Sequence, residues 1–311
     1  NKRRWGVTME RIILDVDTGL DDAVALFLAA GLKEITIEAI IATAGNVGLD
    51  KTLENTLNIA ETSGLTCPVY AGSSGPLVRT PVEAGDFHGE SGLDGPLFEE
   101  RVRQHVAPTS GIDAMIALVM DNPHEITIVS VGPLTDLAVA FIREPRIAEY
   151  AKRFVIMGGS FSRGNVTDEA EFNTYADPEA AKIVFASGAQ IALFSLDCTR
   201  TVTLSPQRLE SFRQRGGRSN EVFVACMDTY TANYTKRGQG EPQMHDPLCV
   251  AYLADPSKVA GSYAGVDVIT EEGPSYGRTV KTDSEQKVFI AESIDIPWFW
   301  SLVERALSSL P

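Results

Sequence analysis

Short β-branched runs alternate with amphipathic stretches along the first two thirds of the chain, and few architectures accept that order. Arg11–Val16, Ile35–Thr43, Glu125–Val131, Phe154–Met157 and Ile191–Leu196 read as strands. Between them Asp21–Leu32, Asp50–Ser63, Ile112–Met120, Leu134–Arg143 and Pro178–Ala186 carry apolar residues at helical spacing. In the second of these, Leu53, Leu57 and Ala60 share one face. Strands joined through helices of this length imply right-handed crossovers. The expected fold class is therefore α/β: an open, mainly parallel sheet flanked by helices. Val266–Thr270, Arg278–Lys281 and Val288–Ala291 read as extra C-terminal strands, an antiparallel extension. Ser219–Lys236 and Trp298–Leu307 read as further helices. With no repeat, linker or low-complexity segment, residues 1–311 are expected to form a single domain. Residues 1–10 are expected to be disordered or foreign to the natural chain, with Met9 as a candidate start.

Glycine, asparagine, proline and charge concentrate in Ala44–Gly48, Gly72–Pro96, Gly158–Thr174 and Gly238–His245. In open α/β sheets ligands bind at the carboxyl ends of the strands, so chemistry is expected in these loops. A formal net charge of −15 argues against a nucleic-acid partner, because phosphate backbones require clustered Lys and Arg. No apolar run approaches the length of a bilayer span, so no membrane partner is expected. The cysteines, Cys67, Cys198, Cys226 and Cys249, form no CxxC pair, which fits reduced thiols and a cytoplasmic location.

The most informative segment is Asp15-Val16-Asp17-Thr18-Gly19-Leu20-Asp21-Asp22, in which carboxylates crowd the junction between a buried strand and a helix. A helix N-terminus accommodates one or two of them through capping and the dipole, but not four. Carboxylates so close raise one another's pKa unless a cation neutralises them, and oxygen ligands suit a hard cation, Ca²⁺ or Mg²⁺.

This DVDTGLDD resembles the N-terminal DxDxxxDD of the nucleoside hydrolases, of the inosine-uridine preferring type. Further stretches resemble the same family in order along the chain: Thr43–Val47, the HGxxGL-like His88–Leu93, the GPLT turn at Gly132–Thr135, Met157-Gly158-Gly159, Asn165 with Glu171-Phe172-Asn173, and His245-Asp246-Pro247. Asp136 departs from the pattern, since many members carry Asn after the GPLT turn. The resemblance implies a Rossmann-like domain, a homo-oligomer (tetramer or dimer), and hydrolysis of the N-glycosidic bond of ribonucleosides with Ca²⁺ as cofactor. It implies that Asp17, Asp22, Asp246 and the Val131 carbonyl hold the ion. Asp17 is implied to take a proton from the attacking water, and the transition state to resemble an oxocarbenium ion. Asp21, Asn46, Met157, Asn165, Glu171 and Asn173 are implied sugar contacts. Glu171 and Asn173 would share one side of an extended stretch.

His245 is the candidate general acid for the leaving base, on the ground that an unperturbed imidazole titrates near neutrality. His88 is a second candidate, in a loop able to close over the base. Tyr230 and Tyr234, four apart on a helix, either stack on the base or form a core stripe, and Arg237 is a weaker base contact. His105 and His124 are expected at the surface. Trp5, Trp298 and Trp300 sit at the chain ends, which disfavours a tryptophan sandwich around a purine. The expected preference is broad or pyrimidine-leaning. Two alternatives stand beside this reading: a haloacid-dehalogenase-like phosphatase, which also places DxD after its first strand, and a non-catalytic calcium- or nucleoside-binding protein on the same fold.

Overall fold

The computed structural model describes residues 9–286 and 288–311. The expectation for residues 1–10 therefore lies outside the described residues, save that Glu10 is buried and already begins a strand. The strands are β1 (Glu10–Val16), β2 (Ile35–Ala42), β3 (Val69–Ala71), β4 (Ile126–Ser130), β5 (Arg153–Met157), β6 (Ile191–Phe194), β7 (Val259–Val268), β8 (Thr279–Thr282) and β9 (Val288–Ile294). The helices are α1 (Leu20–Gly31), α2 (Leu49–Thr62), α3 (Gly85–His88), α4 (Gly111–Asp121), α5 (Thr135–Arg143), α6 (Ile147–Tyr150), α7 (Phe172–Ala176), α8 (Pro178–Phe185), α9 (Leu196–Thr199), α10 (Pro206–Arg213), α11 (Arg218–Lys236), α12 (Pro247–Ala254) and α13 (Ile296–Leu307).

The strands form one sheet in the order β3-β2-β1-β4-β5-β6-β9-β7-β8. From β3 to β9 all neighbours are parallel; β7 and β8 run antiparallel. The chain leaves β1 toward β2 and β3, then crosses to β4 on the other side. The carboxyl ends of β1 and β4 thus flank the switch point at which doubly wound sheets bind ligands. The expected C-terminal extension needs correction in two respects. The strand β9 joins the parallel set through β6, and β7 begins well before its apolar residues, over the exposed Ala260–Tyr263, held there by pairing with β9. Local hydrophobicity does not report a strand whose one asset is its partner.

Strand periodicity sorts the core. Ile12, Leu14 and Val16 enter the cluster packed by α1, α11, α12 and α13, while Ile13 enters the cluster packed by α4, α5 and α8. Helix α1 is buried all round, from Leu20 to Gly31 with Ala30 the exception, so it is a central helix with no solvent face. Asp15 alternates onto the α5 side, where Ser130 Oγ donates to its Oδ2 at 2.6 Å. Facing it is Asp136, whose Oδ1 accepts from the Ser73 backbone N–H at 2.7 Å and from Ser73 Oγ at 2.5 Å. The remaining oxygens, Asp15 Oδ1 and Asp136 Oδ2, are buried without a donor. Burial raises both pKa values, with mutual repulsion adding for Asp15, so a single proton held between them satisfies both.

That geometry makes the Asp136 departure interpretable. An asparagine amide reproduces the shared proton as an N–H donor and keeps an acceptor for Ser73. Asp136→Asn should therefore hold stability within about 1 kcal/mol, whereas Asp136→Ala, which strands Ser73 and Asp15, should cost roughly 1–3 kcal/mol. Denaturant unfolding of the two variants checks this; equal losses would show that the pair shares no proton.

Candidate active site

The expected loops meet over the carboxyl ends of β1, β4 and β5 around one cavity of about 870 Å³. Its floor is acidic. Asp17 directly follows β1, and its Oδ2 accepts the Asn46 backbone N–H at 2.7 Å. Gly45 and Gly132 sit against this carboxylate so closely that a Cβ at either would lie 2.2 Å from Asp17 Oδ2 or 2.8 Å from Oδ1. Those glycines in the two flanking turns are therefore needed for close approach. Asp22 occupies the first turn of α1, where its Oδ2 accepts the Gly19 N–H at 2.9 Å and its Oδ1 the Asp17 N–H at 3.2 Å. The Asn46 amide donates to Asp17 O and to Asp22 Oδ2, both at 3.1 Å, which uses both of its hydrogens. Asn46, expected as a sugar contact, is thus a brace for the carboxylates, with only its carbonyl oxygen left to offer.

Asp246, just before α12, reaches the same point from the other end of the sequence. Oxygens of Asp21, Asp22 and Asp246 lie within 4.8 Å of one another. The compact set therefore contains Asp21, expected as a sugar contact, while Asp17, expected as a ligand, stands beside it and lines the cavity. Burial, then mutual repulsion, drives the pKa values of Asp17 and Asp246 well up and that of Asp21 to about 8. Their donors are neutral backbone and amide groups, so the charges remain uncompensated by those bonds. An all-oxygen, buried donor set of this kind fits a hard divalent cation. Of the DVDTGLDD carboxylates, three serve this floor; Asp15 does not, because it is still within β1 and faces the α5 side with Ile13, whereas Asp17 lies in the turn beyond the strand.

One wall is polar. The Glu171–Asn173 stretch is not extended as expected: Glu171 is the N-cap of α7, its carboxylate accepting from the N–H groups of Asn173 and Thr174 and from Gly159 N at 2.8 Å. Turn geometry, not strand alternation, brings the two side chains to the cavity. Asn173 Nδ2 donates to Val131 O at 2.7 Å and to Met157 O at 3.2 Å, tying the ends of β4 and β5 together. Burial lifts Glu171 to about 7. Asn165 also lines the cavity, and its Oδ1 accepts Phe172 N–H at 2.9 Å, which leaves its NH₂ for a ligand.

The other wall is aromatic. His88 at the end of α3 accepts the Leu20 N–H on Nδ1 at 3.0 Å, which leaves the ring hydrogen on Nε2. It stacks on Tyr230 at 5.9 Å, and Tyr230 packs edge-on to Tyr234 at 5.0 Å. The two tyrosines are both cavity lining and core, so neither expected role excludes the other. Arg237 lies over Phe87, 3.8 Å from the ring centroid. His245 Nδ1 hydrogen-bonds to Thr199 Oγ1 at 2.7 Å. Burial, aided by Arg200 and His88, lowers His245 to about 3, and burial lowers His88 to about 4. Desolvation thus favours the neutral form of both rings, against the expectation of a near-neutral pKa for His245, and a neutral ring still offers an N–H. His105 and His124 are exposed, as expected. Sequence reasoning missed Phe87, Arg163, Thr199 and Arg200, for which no motif or spacing gave a signal.

The inosine-uridine preferring nucleoside hydrolase family model matches residues 12–301. A pyrimidine-specific ribonucleoside hydrolase RihB from Escherichia coli (strain SE11) is 39% identical over 305 residues, covering 96% of each chain. Among solved structures, a purine-preferring ribonucleoside hydrolase from Gardnerella vaginalis superposes with a TM-score of 0.90 at 29% identity, covering 96% of this chain and 98% of its own. A plant nucleoside hydrolase superposes at 0.89 with 29% identity, covering 96% and 99%.

The buried carboxylates generate a pH prediction. A carboxyl whose folded pKa is raised stabilises the fold fully below its unfolded value and loses that contribution as pH rises through the folded value. With unfolded carboxyls near about 4 and Asp21 and Glu171 at about 8 and 7, the metal-free protein should lose stability between pH 4 and 8. Added Ca²⁺ favours the ionised forms, so its increment in Tm should grow from pH 5 to pH 8. Thermal melts with chelator or Ca²⁺ check this, and an increment that shrinks with pH would remove the cation from this cluster.

Proposed function

The chain belongs to the inosine-uridine preferring nucleoside hydrolase family, and we propose that it cleaves pyrimidine ribonucleosides preferentially, releasing free base and ribose in a Ca²⁺-dependent reaction. One observation carries the reading: carboxylates from both ends of the sequence meet on the floor of a cavity walled by hydrogen-bonding amides on one side and aromatic rings on the other. The pyrimidine preference rests on the 39% identity to a pyrimidine-specific relative and on the tyrosine and histidine wall, with Trp300 remote in the core cluster beneath α13. The reading takes the whole chain as one catalytic domain, working as a homo-oligomer in the cytoplasm, where the free cysteines stay reduced.

Asp21, Asp22 and Asp246, with Asp17 beside them and the Val131 carbonyl, would hold the ion. When bound, Ca²⁺ supplies a fixed positive charge that orients a vicinal sugar diol and acidifies an adjacent water. Asp17, braced on one oxygen by Asn46, keeps its second oxygen to accept the proton of the water that attacks the anomeric carbon. Asn165, Glu171 and Asn173 hold the ribose, and their oxygens, with those of the floor, favour the positive charge that develops on the sugar as the N-glycosidic bond breaks. On the base side, Tyr230 and Tyr234 supply a face for stacking. His88 through Nε2–H and His245 through a ring N–H offer hydrogen bonds to a base that leaves with the bonding electron pair. Neutral imidazoles suit this role, because an unpaired imidazolium in so dry a site would be costly.

A panel of ribonucleosides, followed by free sugar with and without a calcium chelator, tests the reading. Uridine should be cleaved faster than inosine, chelation should abolish both, and 2′-deoxyuridine should react far more slowly because it lacks the diol. Binding without release of base would instead identify a non-catalytic binding protein, and equal rates on the deoxy substrate would remove the ion–diol contact. Asp17→Ala should fold normally and lose at least about 10²-fold in kcat, the scale of a missing general base; a near-normal kcat would assign the proton elsewhere.

A further inference from the structure

Arg200 belongs to none of the motifs that define the site, yet it lines the cavity between the sugar wall and His245. It follows the four-residue helix α9, and one of its terminal nitrogens donates to Arg163 O at 2.6 Å, the other to Gly164 O at 2.6 Å. These carbonyls immediately precede Asn165. At the other end of the same short segment, Asp197 Oδ2 accepts the Phe161 N–H at 2.8 Å. Between them, Thr199 holds His245. The loop so gripped has little burial of its own: Ser162, Arg163, Asn165, Val166 and Asp168 are exposed. A segment with few apolar contacts opens easily unless polar bonds close it. Two carbonyls on consecutive residues match the planar fork of a guanidinium, and a single ammonium cannot serve both so well.

We propose that Arg200 is a positioning residue that holds the Arg163–Asn165 loop against the cavity, so that the Asn165 amide meets the ribose while His245, held by the same segment, meets the base. The assignment rests on the ribonucleoside hydrolase reading above. It gives this segment one task, the spacing between the sugar-binding loop and the base-side histidine. A clamp that merely stabilised the fold would affect the enzyme whether or not Asn165 were present.

A double-mutant cycle with uridine and saturating Ca²⁺ separates the two. Arg200→Gln should lower kcat/KM about tenfold to a hundredfold, the range for losing charge-assisted hydrogen bonds, with Tm little changed. In an Asn165→Ala background the same substitution should cost less than about twofold, because the contact it positions has already gone. Arg200→Lys should fall between wild type and Arg200→Gln, and it serves in the cycle should the glutamine variant fail to fold. Equal losses in both backgrounds would overturn the proposal while leaving the hydrolase reading intact. An unsubstituted protein that released no base from any ribonucleoside would overturn both.

Discussion

Mutual repulsion among buried carboxylates is the constraint around which this molecule is built. Asp17, Asp21, Asp22 and Asp246 are withdrawn from water at one point, and their hydrogen-bond donors are neutral. Such a cluster is unfavourable in its fully ionised form, and either protonation or a hard cation relieves it. The fold must therefore be rigid enough to hold like charges together in advance. Helix α1, which carries two of the acids, is buried over nearly its whole circumference between the sheet and the helices α11, α12 and α13. Packing on all sides is what prevents the acids from separating.

The sheet supplies the address. Reversal of strand order beside β1 opens a crevice at the carboxyl ends of β1 and β4, and the turns there begin with Asp17 and Val131. The end of β1 then divides the motif: Asp15, still in the strand, faces α5 and shares its burial with Asp136, while Asp17 lies in the turn beyond and reaches the cavity floor. Two acidic clusters thus arise from one short segment, one opening on the cavity floor and one closed inside the core. Gly45 and Gly132 complete the arrangement by leaving room for the Asp17 carboxylate.

Above this floor the walls mix amides and aromatic rings with the guanidinium groups of Arg163, Arg200 and Arg237. Glu171 caps α7, Asn173 ties the ends of β4 and β5, and both histidines lose their charge to burial. The hydrolase from Gardnerella vaginalis named for purines shares the fold at 29% identity, and the Escherichia coli relative named for pyrimidines is closer in sequence at 39%. A fold shared by relatives named for different bases does not by itself set base preference; the rings of α3 and α11 that close the other wall are where it is expected to reside.

The sequence by itself determined the parts governed by local periodicity and crowding. Alternating β-branched and amphipathic runs specified β1, β2, β4, β5 and β6 and the longer helices between them, because burial on a sheet imposes a short period; the three-residue β3 and the short helices α3, α6 and α7 are too brief to carry such a period and escaped it. DVDTGLDD announced a buried acidic cluster, because four acids exceed what a helix end can absorb. Tertiary structure alone decided which of those acids meet Asp246, since that depends on where the start of α12 docks against the first turn of α1. It also decided that β9 runs parallel to β6, that Glu171 caps a helix, that His245 is neutral, and that Thr199 and Arg200 belong to the site at all. Each of these rests on a partner far away along the chain, and neither periodicity nor spacing carries the identity of a distant partner.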